Sequence, residues 1–385
     1  MPAPRLPKIV IALAITSFFT DIGTEMIAPL LPAYLASLGA TPLFLGLIEG
    51  VADATSSVLK LASGIVADRT TKRMPVVFAG YALASLVRPL VAFATAPWHV
   101  LAVRVTDRVG KGLRTAPRDL LLANAVKGED AGRAFGLHQA MDHAGAIVGP
   151  LAATALLAMG VSVRNVFLFA LVPGLLAMIT LMSVREDATT PKAKATSQGV
   201  KPLNRTFISY LLVLAVFCLA NSSDAFLLLR ASELGIPRHT LPLVWAAFHV
   251  SKSTLSYLGG RLADRYPRVR MMVIGWLIFA VTYVGFAYAT RPLHVWLLFI
   301  VYGGYYGLAE PSEKALVRDL VPEESRGRAF GAFHFVIGIV TIPAGLLMGA
   351  LWTWQSSRVA LTLASGLVLL ATLMLVVWSR MARRA

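Results

Sequence analysis

Long apolar stretches separated by short polar ones set the pattern of this chain. Twelve apolar segments can be placed, at roughly 8–37, 43–66, 75–95, 98–125, 134–159, 163–184, 205–232, 240–262, 271–289, 293–321, 328–351 and 358–379. A bilayer crossing takes about 20 predominantly apolar residues, so each segment is long enough to span as a helix. The stretch 185–204 breaks the rhythm, with Pro191, Lys192, Lys194, Ser197, Gly199 and Lys201. It reads as a flexible cytoplasmic linker. The pattern therefore predicts an all-α integral membrane protein of twelve transmembrane helices. Residues 1–184 form one six-helix bundle, 185–204 the linker and 205–385 a second six-helix bundle.

Composition agrees. Of 385 residues, 57% are hydrophobic and only 15% charged, against about 25% charged in soluble domains. Arg5 and Lys8 before an apolar run resemble a signal start, but the run continues through Asp21 and Glu25 to Gly39 and reads as the first span. The single cysteine, Cys218, excludes an intrachain disulfide and a cysteine metal cage. The net charge of +16 does not mark a nucleic-acid partner, because the positive residues sort by loop. With the N-terminus in the cytoplasm, twenty Lys or Arg fall on the cytoplasmic side, among them Arg69, Lys72, Arg73, Arg133, Lys192, Arg265 and Arg328. Only Arg164, Arg238, Arg291 and Arg358 fall on the other. This positive-inside asymmetry places both termini in the cytoplasm, in a cell's inner membrane, with the lipid bilayer as the constant partner.

The two bundles repeat. Gly64-Ile-Val-Ala-Asp68-Arg69 recurs 196 residues later as Gly260-Arg-Leu-Ala-Asp264-Arg265. Gly132-Arg133-Ala134-Phe135-Gly136 recurs 195 residues later as Gly327-Arg328-Ala329-Phe330-Gly331. Two echoes at nearly one spacing, in six-span halves of equal orientation, mark a parallel repeat, whose substrate path is expected at the interface of the repeats near the midplane.

Charges inside the spans are the candidate chemistry. In the fourth span Arg104, Asp107, Arg108, Lys111, Arg114, Arg118 and Asp119 fall on one helical stripe about 140° wide. Charges in hydrocarbon are tolerated where they face a bundle interior or a water-filled cavity. Cations outnumber carboxylates on this stripe, so that interior favours an anion; internal ion pairs that lock helices together are the structural alternative. Glu49, Asp53, Ser56 and Lys60 share a face of the second span, and Asp21 and Glu25 lie one turn apart in the first. Buried carboxylates take up protons near neutral pH, so Asp21, Glu25, Glu49 and Asp53 are proton-coupling candidates. Permanent pairing with Lys60, Arg88 or Arg104 is the competing role.

The repeat spacing sets His249 and Lys252 over Asp53 and Ser56. Asn221, Asp224 and Arg230 come from the seventh span, and the tenth adds Glu310, Glu313 and Lys314. Histidine switches near pH 6.5, making His249 a further proton candidate, with Lys252, Glu310 and Glu313 as cavity candidates. His138 and Asp142 could offer a metal two ligands one turn apart, without an evident third. No Gly-x-x-x-x-Gly-Lys-[ST] loop is present, so energy is expected from an ion gradient rather than from ATP. No catalytic constellation on a soluble domain is evident, so no enzyme and no cofactor are expected.

These residues carry a resemblance to the major facilitator superfamily over the whole chain. The family's loop after the second span, Gly-x-x-x-Asp-Arg-x-Gly-[RK]-[RK], is matched by Gly64, Asp68, Arg69, Lys72 and Arg73, with Thr71 in place of the second glycine. Gly260, Asp264, Arg265 and Arg268 form a weaker second copy. The resemblance implies that this loop acts as a latch between conformations. In the fourth span, Arg104-x-x-Asp107-Arg108-x-Gly110 stands where the family shows Arg-x-x-Gln-Gly-x-Gly, a departure that points away from ordinary hydrophobic-drug transport. Gly145-x-x-x-Gly149-Pro150 is similar to the Gly-x-x-x-Gly-Pro of the family's antiporters. The resemblance thus implies a monomeric, proton-coupled secondary transporter working by alternating access, an exporter of a small amphipathic or anionic solute. Efflux of a metal ion or chelate is the alternative within transport, and a non-transporting membrane sensor or enzyme the alternative outside it.

Overall fold

A computed structural model of the chain describes residues 6–69, 72–126, 131–183, 203–322 and 326–382, without side-chain detail at 65–69, 123, 131–133, 257–265 and 326–327. Fifteen α-helices run through these residues: α1 Lys8–Ile27, α2 Leu31–Ser37, α3 Pro42–Arg69, α4 Met74–Val87, α5 Pro97–Asn124, α6 Ala131–Ala158, α7 Val163–Phe169 and α8 Leu171–Met182, then α9 Arg205–Ala220, α10 Ala225–Glu233, α11 Leu241–Arg265, α12 Arg268–Tyr288, α13 Pro292–Leu320, α14 Arg326–Trp354 and α15 Ser357–Ala382. Joined across local breaks, they make twelve long helical runs that follow the apolar segments of the sequence.

The breaks have causes in the sequence. Pro29 and Pro32 interrupt the first run at a 3-10 turn, Ala28–Leu30, because proline has no N–H to donate and its ring crowds the preceding turn. Arg88-Pro89 turns the end of the third run into a second 3-10 stretch, Arg88–Phe93. The seventh run breaks over Asn221–Asp224 without proline. Ten runs are long and apolar enough to cross a membrane. The other two, α5 and α11, have 28 and 25 residues; α5 carries too many charges to qualify by composition, and α11 is described with side chains only over 241–256.

The repeat extends to turns that sequence comparison passes over. Gly39 and Gly235, 196 positions apart, follow α2 and α10 with φ of 83° and 86°, the left-handed geometry that glycine supplies after a helix end. His99 Nδ1 accepts the backbone N–H of Thr95 at the start of α5, and His294 Nδ1 that of Thr290 at the start of α13, both at 3.3 Å.

Contacts divide the chain into two compact units, Met1–Leu31 with Thr55–Ser197, and Pro32–Ala54 with Gln198–Ala385. In the first, α1 lies on α6 and α4 on α5. Small residues let helix backbones approach where no water drives them together: a Cβ on Gly145 would stand 2.5 Å from the Phe18 carbonyl, and one on Gly149 2.5 Å from that of Ile22. Val10, Leu13, Val77, Tyr81, Leu122 and Leu181 form a buried core there. In the second unit the first half of α3 joins α14, where the backbones of Gly46 and Gly345 meet. This unit's core is aromatic, with Trp276, Phe279, Tyr283 and Tyr302 all fully buried. The linker expected at 185–204 falls mostly outside the described residues.

Candidate functional site

The first unit gathers its charges along α5. Pro97 opens that helix, with a fixed φ suited to a first turn. A Cβ on Gly80 of α4 would lie 2.7 Å from the Gly110 carbonyl, so α4 and α5 touch backbone to backbone. That contact brings Arg88 down onto Asp107. Arg88 donates Nε and Nη2 to Asp107 Oδ1 at 3.2 and 2.8 Å, and Nη1 to the Thr20 carbonyl of α1 at 3.1 Å. Both side chains are buried, at 8% and 3% exposure. Arg108 Nη1 stands 4.0 Å from the other Asp107 oxygen.

The rest of the stripe is answered unevenly. Arg118 bonds its own neighbour Asp119 at 2.8 Å. Lys111 is exposed and Arg104 half-buried. Arg114 is buried, its guanidinium 4.1 Å from the centre of the Tyr81 ring, and its Nε and Nη1 meet no hydrogen-bond acceptor among the described residues. A π-face offsets part of the charge of a guanidinium; it does not take its N–H bonds.

Asp21 and Glu25 line the α1 side of the α1–α6 seam, their Cβ atoms 3.0 and 3.2 Å from where Cβ atoms of Gly145 and Gly149 would stand. Pro150 sits inside α6. Asp142, Lys111, Glu25 and Arg114 are the charges acting on Asp21. His138 Nδ1 faces Asp142 Oδ2 at 3.5 Å. No cluster of three metal-ligating side chains occurs among the described residues.

The second unit builds its polar cluster at the break in the seventh run. Asp224 heads α10 without capping it; Ser223 Oγ instead accepts the Ala225 N–H at 3.2 Å. The carboxylate is thus left to α13, where Tyr302 and Tyr306 donate their hydroxyls to Oδ1 and Oδ2, each at 2.8 Å. Asn221 donates to the Tyr305 hydroxyl at 2.9 Å. Ser223 Oγ also donates to Glu49, at 3.2 Å, which anchors the buried Glu49 carboxylate. Asp53 is an electrostatic neighbour of Asp224. The Lys252 ammonium lies 3.8 Å from the centre of the Tyr306 ring. His249 packs edge-on against Trp245 and Phe248, at 5.0 and 5.2 Å between ring centres. Further along α13, Glu310 pairs with Lys314 at 2.8 Å, while Glu313 turns inward and accepts the Trp276 Nε1–H at 3.1 Å.

Of the loop residues, Lys72 is exposed and Arg73 buried. Gly64 sits against Ala116 of α5. The side chains of Asp68, Arg69, Asp264 and Arg265 lie outside those described, and the latch with them. Tyr81, Tyr302 and Tyr306 emerge as site residues from the structure, which also gives Arg88 and Asp224 their partners. The signals in the sequence were a lone Arg-Pro in the third span and the polar interruption Asn221-Ser-Ser-Asp224 in the seventh.

The Major Facilitator Superfamily family model matches residues 13–229 and 207–385. The chain belongs to the Major Facilitator Superfamily. An uncharacterized MFS-type transporter of Methanocaldococcus jannaschii is 33% identical over 379 residues, 95% of this chain and 95% of the relative. A multi-drug resistance efflux pump PmrA homolog of Lactococcus lactis is 25% identical, over 94% of this chain and 91% of that protein. Among solved structures, the nucleoside transporter NupG superposes with a TM-score of 0.78 at 16% identity, over 96% of this chain and 98% of that one, a likeness of fold. As a member of this superfamily the chain is a multi-pass membrane transporter of a small-molecule substrate, not an enzyme. The sensor-or-enzyme alternative is thereby set aside.

Proposed function

We propose that this transporter is a proton-coupled exporter of a small amphipathic or anionic solute. It exchanges the solute for protons across the cytoplasmic membrane by alternating access, as a monomer with both termini in the cytoplasm, and uses no cofactor. The observation that carries the substrate class is Arg114. A buried guanidinium with two nitrogens, Nε and Nη1, lacking acceptors is costly unless a ligand supplies them, and the acceptor a guanidinium binds best is a carboxylate or phosphate oxygen. The acidic residues of its own stripe are engaged elsewhere, Asp107 by Arg88 and Asp119 by Arg118. Export is supported by relatives named as multi-drug resistance efflux pumps in Lactococcus lactis and Streptococcus pneumoniae, the latter 24% identical. Proton coupling is supported by Asp21 and Glu25 on the seam that carries the antiporter-like glycines. Metal export ranks lower, since His138 and Asp142 find no third ligand among the described residues.

Binding of a carboxylated fluorescent amphipath to the purified protein tests the substrate class. Arg114→Gln should weaken it by roughly 1.5–3 kcal/mol, the range for hydrogen bonds to charged groups, with the melting temperature little changed. Equal affinity in the variant, or preference for a cationic dye of the same size, refutes an anionic substrate.

A further inference from the structure

We propose that Asp224, at the break between α9 and α10, is a proton-exchange site, and that Lys252 is the countercharge that governs when it gives the proton up. The inference deepens the proposed proton coupling and rests on it for its role in transport.

The argument begins with the break. Apolar spans keep their hydrogen-bond ladder intact, since an orphaned backbone group in hydrocarbon is expensive. The seventh run gives its ladder up over Asn221–Asp224, where no proline forces it. Discontinuous helices of this kind recur where transporters hold substrates and coupling ions. Here the break delivers a carboxylate.

The donors around that carboxylate suit a group that changes charge. When Asp224 is ionised, its two oxygens accept the Tyr302 and Tyr306 hydroxyls, both at 2.8 Å. A phenol can donate and accept, unlike an arginine or a backbone N–H. When a proton arrives on one oxygen, the facing hydroxyl turns and accepts it, while the other tyrosine goes on donating. The carboxyl group itself stays hydrogen-bonded in both states. A purely structural aspartate would gain nothing from this symmetry.

The countercharge is movable. Lys252 rests its ammonium on the face of Tyr306, 3.8 Å from the ring centre, rather than in a direct ion pair, and acts electrostatically on Asp224. Its flexible stem lets it approach or leave. The other ionisable groups facing Asp224 are Asp53 from α3, Tyr283 from α12, and Tyr302 and Tyr306 from α13, with Tyr305 beyond them. Asp53 opposes a second negative charge, so Lys252 is the one cation of this set. Near the carboxylate it favours proton release; withdrawn, it lets the proton bind.

Infrared titration of the purified full chain in lipid nanodiscs tests this without a transport substrate. The C=O band of a protonated carboxyl should include a component that disappears in Asp224→Asn. In Lys252→Gln that component should persist to a pH higher by about one unit or more, the scale on which a nearby opposite charge shifts a carboxyl group. Tyr306→Phe, which removes a donor to the charged form, should move it in the same direction. An unchanged band in folded Asp224→Asn overturns the proposal, as does a midpoint unmoved or lowered in Lys252→Gln. If Asp224→Asn fails to fold, the two other variants decide alone. The outcome is separable from proton coupling of transport. Gradient-driven uptake with an unaltered band refutes this site alone; a titrating Asp224 in a protein indifferent to pH gradients refutes the coupling alone.

Discussion

Asp107→Asn isolates the buried ion pair between Arg88 and Asp107 in the first unit. Arg88 spends all three of its bonds on Asp107 and the Thr20 carbonyl, tying α5, the end of the third run and α1 together. Both partners are buried to over nine-tenths. Neutralising Asp107 therefore leaves Arg88 charged, buried and short of its carboxylate, and also deprives Arg108 of its neighbour at 4.0 Å. Breaking a buried pair from one side costs about 3–5 kcal/mol. At about 2–4 °C per kcal/mol for a domain of 150–250 residues, this is a fall of roughly 6–20 °C in melting temperature. The double variant Arg88→Met with Asp107→Leu removes both charges and should recover most of the loss, because a well-packed apolar replacement of an ion pair is often neutral. Melting of the wild type, Asp107→Leu, Arg88→Met and the double variant, alongside Asp107→Asn, in one detergent is the assay. A fall under about 2 °C for Asp107→Asn, well below the range expected of a buried pair, would refute the reasoning. So would a double variant less stable than either single one.

Three further outcomes follow from single contacts. Gly145→Leu should destabilise the first unit by about 1–3 kcal/mol or more, the cost of overpacking a tight contact, because its Cβ would press on the Phe18 carbonyl at 2.5 Å; an unchanged melting temperature would show that α1 and α6 are not packed this closely. Trp276→Phe withdraws the indole N–H from Glu313 and should cost about 1–3 kcal/mol for the orphaned acceptor, read as lost thermal stability that Glu313→Leu in the same protein partly restores. Arg118→Gln should shift melting by less than about 1 kcal/mol equivalent, because a pair with a partly exposed neighbour contributes little; any larger loss would make Arg118 a helix lock.

The fold was legible because one physical constraint dominates it. Runs of about 20 apolar residues must be helical and must cross, and every expected segment has a helical run over it. The span α5 is too charged to pass as an ordinary apolar crossing because it carries the site residues Arg104 to Arg118. The periodic stripe of α5 was readable from helical geometry alone. What paired with what was not. The wheel sets Asp107 among its own helix's cations, yet the strongest partner is Arg88, brought in by the Gly80–Gly110 contact between helices. Asp224 was visible as a polar interruption, but nothing in the sequence says that the helix opens there or that Tyr302 and Tyr306 turn to meet it. Glu310 and Glu313 look equivalent on a wheel. One pairs with Lys314 and the other is buried against Trp276, a difference set by α12 rather than by α13.

Gradient-driven uptake in proteoliposomes tests proton-coupled export most directly. The full chain is reconstituted with an acidic lumen, and a carboxylated fluorescent amphipath is supplied outside. Proton-coupled exchange predicts accumulation that a protonophore abolishes. It further predicts that at least one of Asp21→Asn, Glu25→Gln, Glu49→Gln and Asp53→Asn loses this accumulation while still exchanging labelled for unlabelled dye. Uptake indifferent to the pH gradient in the wild-type protein would contradict it; unchanged gradient-driven uptake in all four variants would refute these four carboxylates as the coupling site.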